Sequence, residues 1–346
     1  MSVRTSSLPI RPIWTLDLTH AATSVAATAG AKRIAVNAEG PFISVADLGE
    51  SRIQTIPLHE PARHVAINSN GDLLAIVGAS NTMEVLTLES GRFGQALYRF
   101  DQAAHDMCAF SRDGKLLWTV GLIFAEFAEI RCYEVGSWNV IAQQRFKPLI
   151  GGCGFVLTLH PRDDILGLWV SGGPDHVWTY WLELTTNGIE YEYQPELDGG
   201  TPPSFNSRGD RFVILNDCEL AAFSFPNCRK LYQPMSAMDE HEDNPFAESL
   251  CYLDSAENDR VLAATNEGRM FVLSLEPGKI IAEVFLEGHE PKPCYQVYKS
   301  LSQTDDQLCS DLHFFSSVGS NLILSVHTNG RASNRRDTIL LWSMDT

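Results

Sequence analysis

With 346 residues, 44% of them hydrophobic and 20% charged, the chain has enough apolar material for a large core and too much for a disordered protein. Its net charge is −17, and its 26 Lys and Arg are scattered among 43 Asp and Glu, which leaves no basic stripe for a phosphate backbone; nucleic acid is not an expected partner. The opening "MSVRTSSLPIRPIW" lacks an apolar signal core, and no run approaches the roughly 18 apolar residues of a spanning helix, so no membrane contact is expected and the compartment is read as cytoplasmic.

In chain order, the first strand pattern is "PIWTLDL" (12–18), which belongs to no repeat. Seven segments with one layout follow: a short apolar strand, a polar turn, then a stronger apolar strand. The turns are "AGAKR", "NSNGD", "SRDGK", "HPRDD", "NSRGD", "SAENDR" and "SVGSN", rich in residues that accept left-handed backbone or bond to their own backbone. A third strand comes next: "FISVADL", "TMEVLTL", "EIRCYEV", "HVWTYWL", "ELAAFSF", "RMFVLSL" and "TILLWSM". Aligned by their ends, these give a packing column of Ala46, Leu86, Tyr133, Tyr180, Phe223, Leu273 and Trp342. A more polar fourth strand follows the first six: "RIQTIPLH", "FGQALYRF", "NVIAQQRF", "IEYEYQP", "CRKLYQP" and "KIIAEVFL".

Four antiparallel strands repeated about every 40–45 residues describe a propeller blade. The expectation is an all-β, seven-bladed β-propeller forming a single domain over 1–346. Its blades fall near 21–58, 63–101, 105–147, 152–195, 201–234, 248–287 and 308–346. The seventh blade has three strands of its own. Pairing 12–18 with 338–344 completes it, closes the ring and removes an exposed apolar edge.

Gly288–His289 in "LEGHEP", the closing "DTILLWS" and the hairpin "FSRDGKLLWTVG" resemble WD-repeat and YVTN-type propellers. Only Trp342 occupies the Trp column, and Ser343 stands where the Asp of the WD dipeptide would be. In that family, a loop histidine bonds within its blade to a Ser or Thr, an Asp and the Trp. His20, His59, His105 and His289 sit in such loops, with those partners mostly missing.

Chemistry-bearing motifs are sparse. There is no G-x-S-x-G, H-E-x-x-H or P-loop. The eight cysteines form no C-x-x-C and read as reduced packing residues; Cys153 in "GGCGF" lacks a neighbouring cation to lower its pKa. The acidic run "MDEHEDNPF" (238–246) has Ca²⁺-type ligands without EF-hand spacing and reads as a solvated loop. The inner strands are mostly apolar, with His64, His160 and His313 the exceptions. No cofactor or metal is expected.

More informative are the loops joining second and third strands, which share one rim of a propeller with the blade-entry loops. "LIFAEFA" offers Phe124 and Phe127, "GGPDHVW" offers Asp175, His176 and Trp178, and "HTNGRASNRRD" offers Arg331, Arg335 and Arg336. Aromatics and arginine are favoured interaction anchors. The expected function is therefore a non-enzymatic scaffold, a monomeric propeller whose partner is another protein. The alternatives are an axial-channel enzyme of the lactonase or amine-dehydrogenase-subunit kind, and a small-molecule or glycan binder.

Overall fold

The computed structural model describes residues 6–100, 105–123, 127–147, 154–161, 165–171, 177–197, 201–216, 219–232, 235–236, 238–239, 242–245, 249–253, 259–264, 269–276, 278–289, 312–319, 321–329 and 336–344. Among them there is no α-helix, and none therefore that is long and apolar enough to cross a membrane. Two N-terminal strands come first, β1 (Ser6–Ile10) and β2 (Trp14–Asp17). Blade one holds β3 (Ala22–Ala27), β4 (Arg33–Ala38), β5 (Phe42–Asp47) and β6 (Arg52–Pro57). Blade two holds β7 (Ala62–Ile67), β8 (Leu73–Gly78), β9 (Met83–Thr87) and β10 (Ala96–Phe100). Blade three holds β11 (Met107–Phe110), β12 (Leu116–Ile123), β13 (Phe127–Glu134) and β14 (Val140–Phe146). Blade four holds β15 (Gly154–Leu159), β16 (Ile165–Ser171), β17 (Val177–Thr185) and β18 (Gly188–Tyr193).

Blade five consists of β19 (Ser204–Phe205), β20 (Arg211–Asn216), β21 (Glu219–Ser224) and β22 (Met235–Ser236). A hairpin of β23 (Met238–Asp239) and β24 (Glu242–Pro245) follows. Blade six consists of β25 (Ser249–Leu253), β26 (Arg260–Ala264), β27 (Met270–Ser274) and β28 (Lys279–Leu286). Blade seven contributes β29 (Leu312–Gly319), β30 (Leu322–Asn329) and β31 (Arg336–Ser343). Each sheet is antiparallel from first to fourth strand, so the fold is the expected all-β, seven-bladed propeller. Two compact units carry it, residues 23–202 with blades one to four and residues 1–22 with 203–346 holding the rest.

The first unit shows why the repeated turns look alike. Thr28, Asn68, Ser111, His160 and Asn206 (the last in the second unit) are all buried at the turn entrance. Each donates its backbone N–H to a carbonyl five residues on, as in Asn68 to Leu73 at 3.2 Å and Ser111 to Leu116 at 2.9 Å. Side chains finish the turn: Asn68 Oδ1 accepts from the N–H groups of Asp72 (3.1 Å) and Leu73 (3.0 Å), and Ser111 Oγ accepts from Leu116 (2.9 Å). These carbonyl and hydroxyl acceptors satisfy backbone donors that would otherwise be stranded. His160 thus belongs to a turn, not to the inner-strand surface where the sequence pattern had placed it.

The packing column is buried throughout, and so are its partners on the second strands. Ile34, Leu74, Leu117, Phe212, Val261 and Ile323 lie opposite Ala46, Leu86, Tyr133, Phe223, Leu273 and Trp342. Each such Leu, Ile or Phe contributes roughly 1.5–3 kcal/mol of burial. Blade four differs. Counting from its turn, the equivalent pair is Leu166 with Leu182, because β17 runs on to a tight turn at Thr185 and Gly188; Tyr180 lies two residues early, facing the same side.

The predicted closing pair is present in the second unit. β2 runs antiparallel to β31 from Trp14↔Leu341 to Asp17↔Thr338, and the N–H groups of Ile13 and Leu18 extend the ladder to the carbonyls of Leu341 (2.7 Å) and Asp337 (2.8 Å). Three features differ from the sequence reading. Residues 6–10 form an additional strand, β1, that runs parallel along β28 and makes blade six five-stranded. The fourth strand expected at 228–234 shrinks to a single Phe223↔Lys230 bridge plus β22. Part of the acidic run forms the β23–β24 hairpin instead of an open loop.

Candidate partner-binding surfaces

The residues singled out at the rim have different fates. Phe127 opens β13 opposite Ile123 and is 43% exposed. Arg336 opens β31 opposite Asn329 and is also exposed. Trp178 requires a correction. It lies opposite Val170, is 8% exposed and belongs to the core cluster with Phe146, Tyr180 and Leu182, since alternation along β17 turns it inward. Phe124, Asp175, His176, Arg331 and Arg335 lie outside the described residues.

Beyond the rim, the outer strands of the first unit keep large apolar side chains in contact with water. Ile53 on β6, Leu97 and Tyr98 on β10, Val140 and Ile141 on β14, and Tyr191 and Tyr193 on β18 are all exposed. Single exposed apolar residues are ordinary; a recurrence on four successive outer strands is the kind of surface that marks an interaction site.

Blade two also carries a cleft of about 450 Å³. Leu58, Ile76, Met83 and Phe100 supply its apolar walls, while His59, Glu60, Glu84 and Arg99 are its polar lining. Glu84 and Arg99 pair across the blade at 3.0 Å. Glu60 accepts from the N–H (3.0 Å) and hydroxyl (2.5 Å) of Ser80 and from the hydroxyl of Thr82. The Ser80 and Thr82 hydrogen bonds hold its carboxyl below the usual range. A Cβ at Gly78 would lie 2.1 Å from Glu60 Oε1, so the glycine leaves the carboxylate its place.

Histidines do structural work in this unit. His64 reaches from β7 to both neighbouring blades: Nε2 lies 3.0 Å from the carbonyl of Cys108, and Nδ1 lies 3.3 Å from Ser24 Oγ. Donation from Nε2–H to the carbonyl leaves Nδ1 to accept the serine proton. Ser24 Oγ is itself held by the N–H of Val65 at 3.2 Å. This superficially resembles a nucleophile and its base, yet burial pushes the imidazole down to about 4, which makes it a weak base at neutral pH. Its evident role is to tie three inner strands together.

His105 is fully buried against Phe100 and Tyr133, and neither ring nitrogen has a hydrogen-bond partner. Burial first, and then the nearby Arg131 charge, lower it to about 4. Below it, Glu129 gathers Arg131, Arg145 (2.6 Å) and Gln143 (2.6 Å). Burial alone would raise the Glu129 carboxyl, but the Arg145 hydrogen bond and the Arg131 charge outweigh it and hold it low.

In the second unit, the partners thought missing around Trp342 are found. Its indole N–H donates to Ser325 Oγ at 2.9 Å, and that hydroxyl is 2.9 Å from His327 Nε2. Because Oγ accepts from the indole, its own proton is free for the imidazole. His327 completes the chain, and the His289 ring stands 6.0 Å from the His327 ring. Blade three repeats the pattern, with Tyr133 hydrogen-bonded to Thr119 at the matching positions. A hydroxyl two residues past the buried second-strand position was the sequence signal, present at Thr119 and Ser325.

Cys108, Cys132, Cys228 and Cys251 are buried, and burial raises the Cys108 thiol to about 12. Cys153, Cys218, Cys294 and Cys309 lie outside the described residues. Among the described residues, no three His, Cys, Asp or Glu converge to hold a metal ion. No model of a known protein family matches this sequence, and no curated protein matches it.

Proposed function

We propose that the chain is a protein-interaction scaffold of WD-repeat-like kind, working in the cytoplasm and presenting its blades to another protein. The observation that carries this reading is the exposure of large apolar side chains where a folded monomer has no internal use for them: Phe127 at the β12–β13 rim and the residues on four successive outer strands. The hydrogen-bonded Trp342, Ser325 and His327 chain supports the WD-like assignment, since it ties a blade together from within. Arg336 at the start of β31, with Asp175, His176, Arg331 and Arg335, is proposed to add polar contacts, and Phe124 an aromatic one. The sites with catalytic residue types, at Ser24 and His64, are absorbed in strand-to-strand bonds, which favours binding over catalysis.

The test uses the tagged full chain and extracts of its native host. Phe127→Ala is expected to reduce partner capture about tenfold, the effect of losing one aromatic anchor, with no change in melting temperature. An equal loss of stability would make Phe127 a packing residue and end the rim reading.

A further inference from the structure

Two outer strands in this protein are built alike and finished differently. In blade six, Leu273 pairs with Ile280, the register skips Ile281, and Val272 pairs with Ala282. In blade three, Tyr133 pairs with Val140, the register skips Ile141, and Cys132 pairs with Ala142. The bulges coincide, and the residues Ile280–Glu283 and Val140–Gln143 read I-I-A-E and V-I-A-Q.

On blade six, β1 covers this strand. Ser6 Oγ donates to the carbonyl of Ile281 at 2.8 Å, and Glu287 N–H donates to the carbonyl of Ile10 at 2.9 Å. Backbone groups of alternate residues from 281 to 287 therefore face β1, while Leu8 and Ile10 pack onto the core cluster of the blade. The equivalents on blade three are Ile141, Gln143 and Arg145, and β14 is the edge of its sheet. Ile141 is 47% exposed there, whereas Ile281 is packed. Blades one and four have no such bulge, and blade two puts Tyr98, stacked on Trp138, where Ala142 and Ala282 stand.

We propose that the outer edge of blade three, along β14, receives an extended segment of a partner protein as an added parallel strand, in the register that β1 takes on β28. Main-chain hydrogen bonds supply affinity in this mode, and alternate side chains supply selectivity. The segment is apolar at alternate positions, like Leu8 and Ile10, and acidic between them. Residues 140–147 carry Arg145 and Lys147 and no carboxylate, in a chain of net charge −17. Arg145 spends its Nε on Glu129 but remains 62% exposed at its side chain. This inference rests on the scaffold reading, and it uses the open backbone edge of β14, not the Phe127 side chain on the neighbouring β13.

The experiment titrates the full chain into a fluorescein-labelled peptide with leucine and isoleucine spaced two apart and glutamates between and beside them. Saturable binding is expected, with amide exchange slowed at Ile141, Gln143 and Arg145. Ile141→Lys should weaken it about tenfold or more at unchanged melting temperature, because a charged side chain on an edge opposes an added strand. Phe127→Ala should leave it intact. Absence of saturable binding, or binding indifferent to Ile141→Lys, overturns the proposal. So does self-association of the chain that Ile141→Lys abolishes, because the occupant is then a second copy. Intact peptide binding with Phe127-independent partner capture defeats the rim reading alone.

Discussion

The outer edges of blades six and three start from nearly the same residues and the same bulge, yet one is buried under the N-terminal strand and the other meets solvent. The difference lies outside the strands themselves. Ile10 is 2% exposed because a neighbouring segment supplies its partner, and Ile281 is covered for the same reason. A propeller blade therefore does not determine whether its outer edge is closed; the chain must bring a strand to it. That one N-terminal segment reaches both β28 and β31 makes it a staple across blades six and seven.

Deleting residues 1–18 tests the staple most severely. It strips two outer edges at once, and size-exclusion chromatography with near-ultraviolet circular dichroism should find aggregated or molten protein. A monomer of unchanged stability would show that neither edge depends on its cover. Next in size is Ile10→Ala, expected to cost about 2–5 kcal/mol in denaturant unfolding, as for other fully buried aliphatic truncations. Acidification should separate the blades through His105, since blade six has no histidine between residues 248 and 287. The folded His105 value of about 4 lies below the ordinary 6.5. Its stabilising contribution is thus complete above pH 6.5 and declines as pH falls toward 4, because the unfolded chain binds the proton first. The loss approaches roughly 3 kcal/mol, and His105→Leu should remove that share of it, while the similarly lowered His64 keeps its own. Trp342→Phe, which removes the hydrogen bond to Ser325, should cost about 1–2 kcal/mol. Smallest of all, Ile141→Ala should stay within about 0.5 kcal/mol, the usual range at a surface site; a large cost there would mean that β14 is covered after all.

Much of this comparison could be read in advance. The turns and the alternating runs place the blades, because polar turn residues and period-two burial are local properties of the chain. The strand closing blade seven was legible by counting. β1 was not: its five residues include Pro9, which disfavours a strand assignment, and its parallel pairing depends on a partner 276 positions away at Ser6↔Ala282. The likeness of residues 140–143 to 280–283 is visible in the sequence, but it acquires meaning only once one copy is seen covered. Trp178 failed as a surface anchor because a loop-end position was weighed above the alternation of β17. The Trp342 partners Ser325 and His327 were passed over because the family pattern looks for the histidine in a blade-entry loop, whereas here both lie on β30.

The most direct test of the covered and bare edges is residue-resolved amide exchange on the full chain without any partner. The account predicts strong protection of Glu283, Phe285 and Glu287 beneath β1, and exchange at least about tenfold faster at Gln143 and Arg145 on β14. Equal protection at the two sets of amides would contradict it.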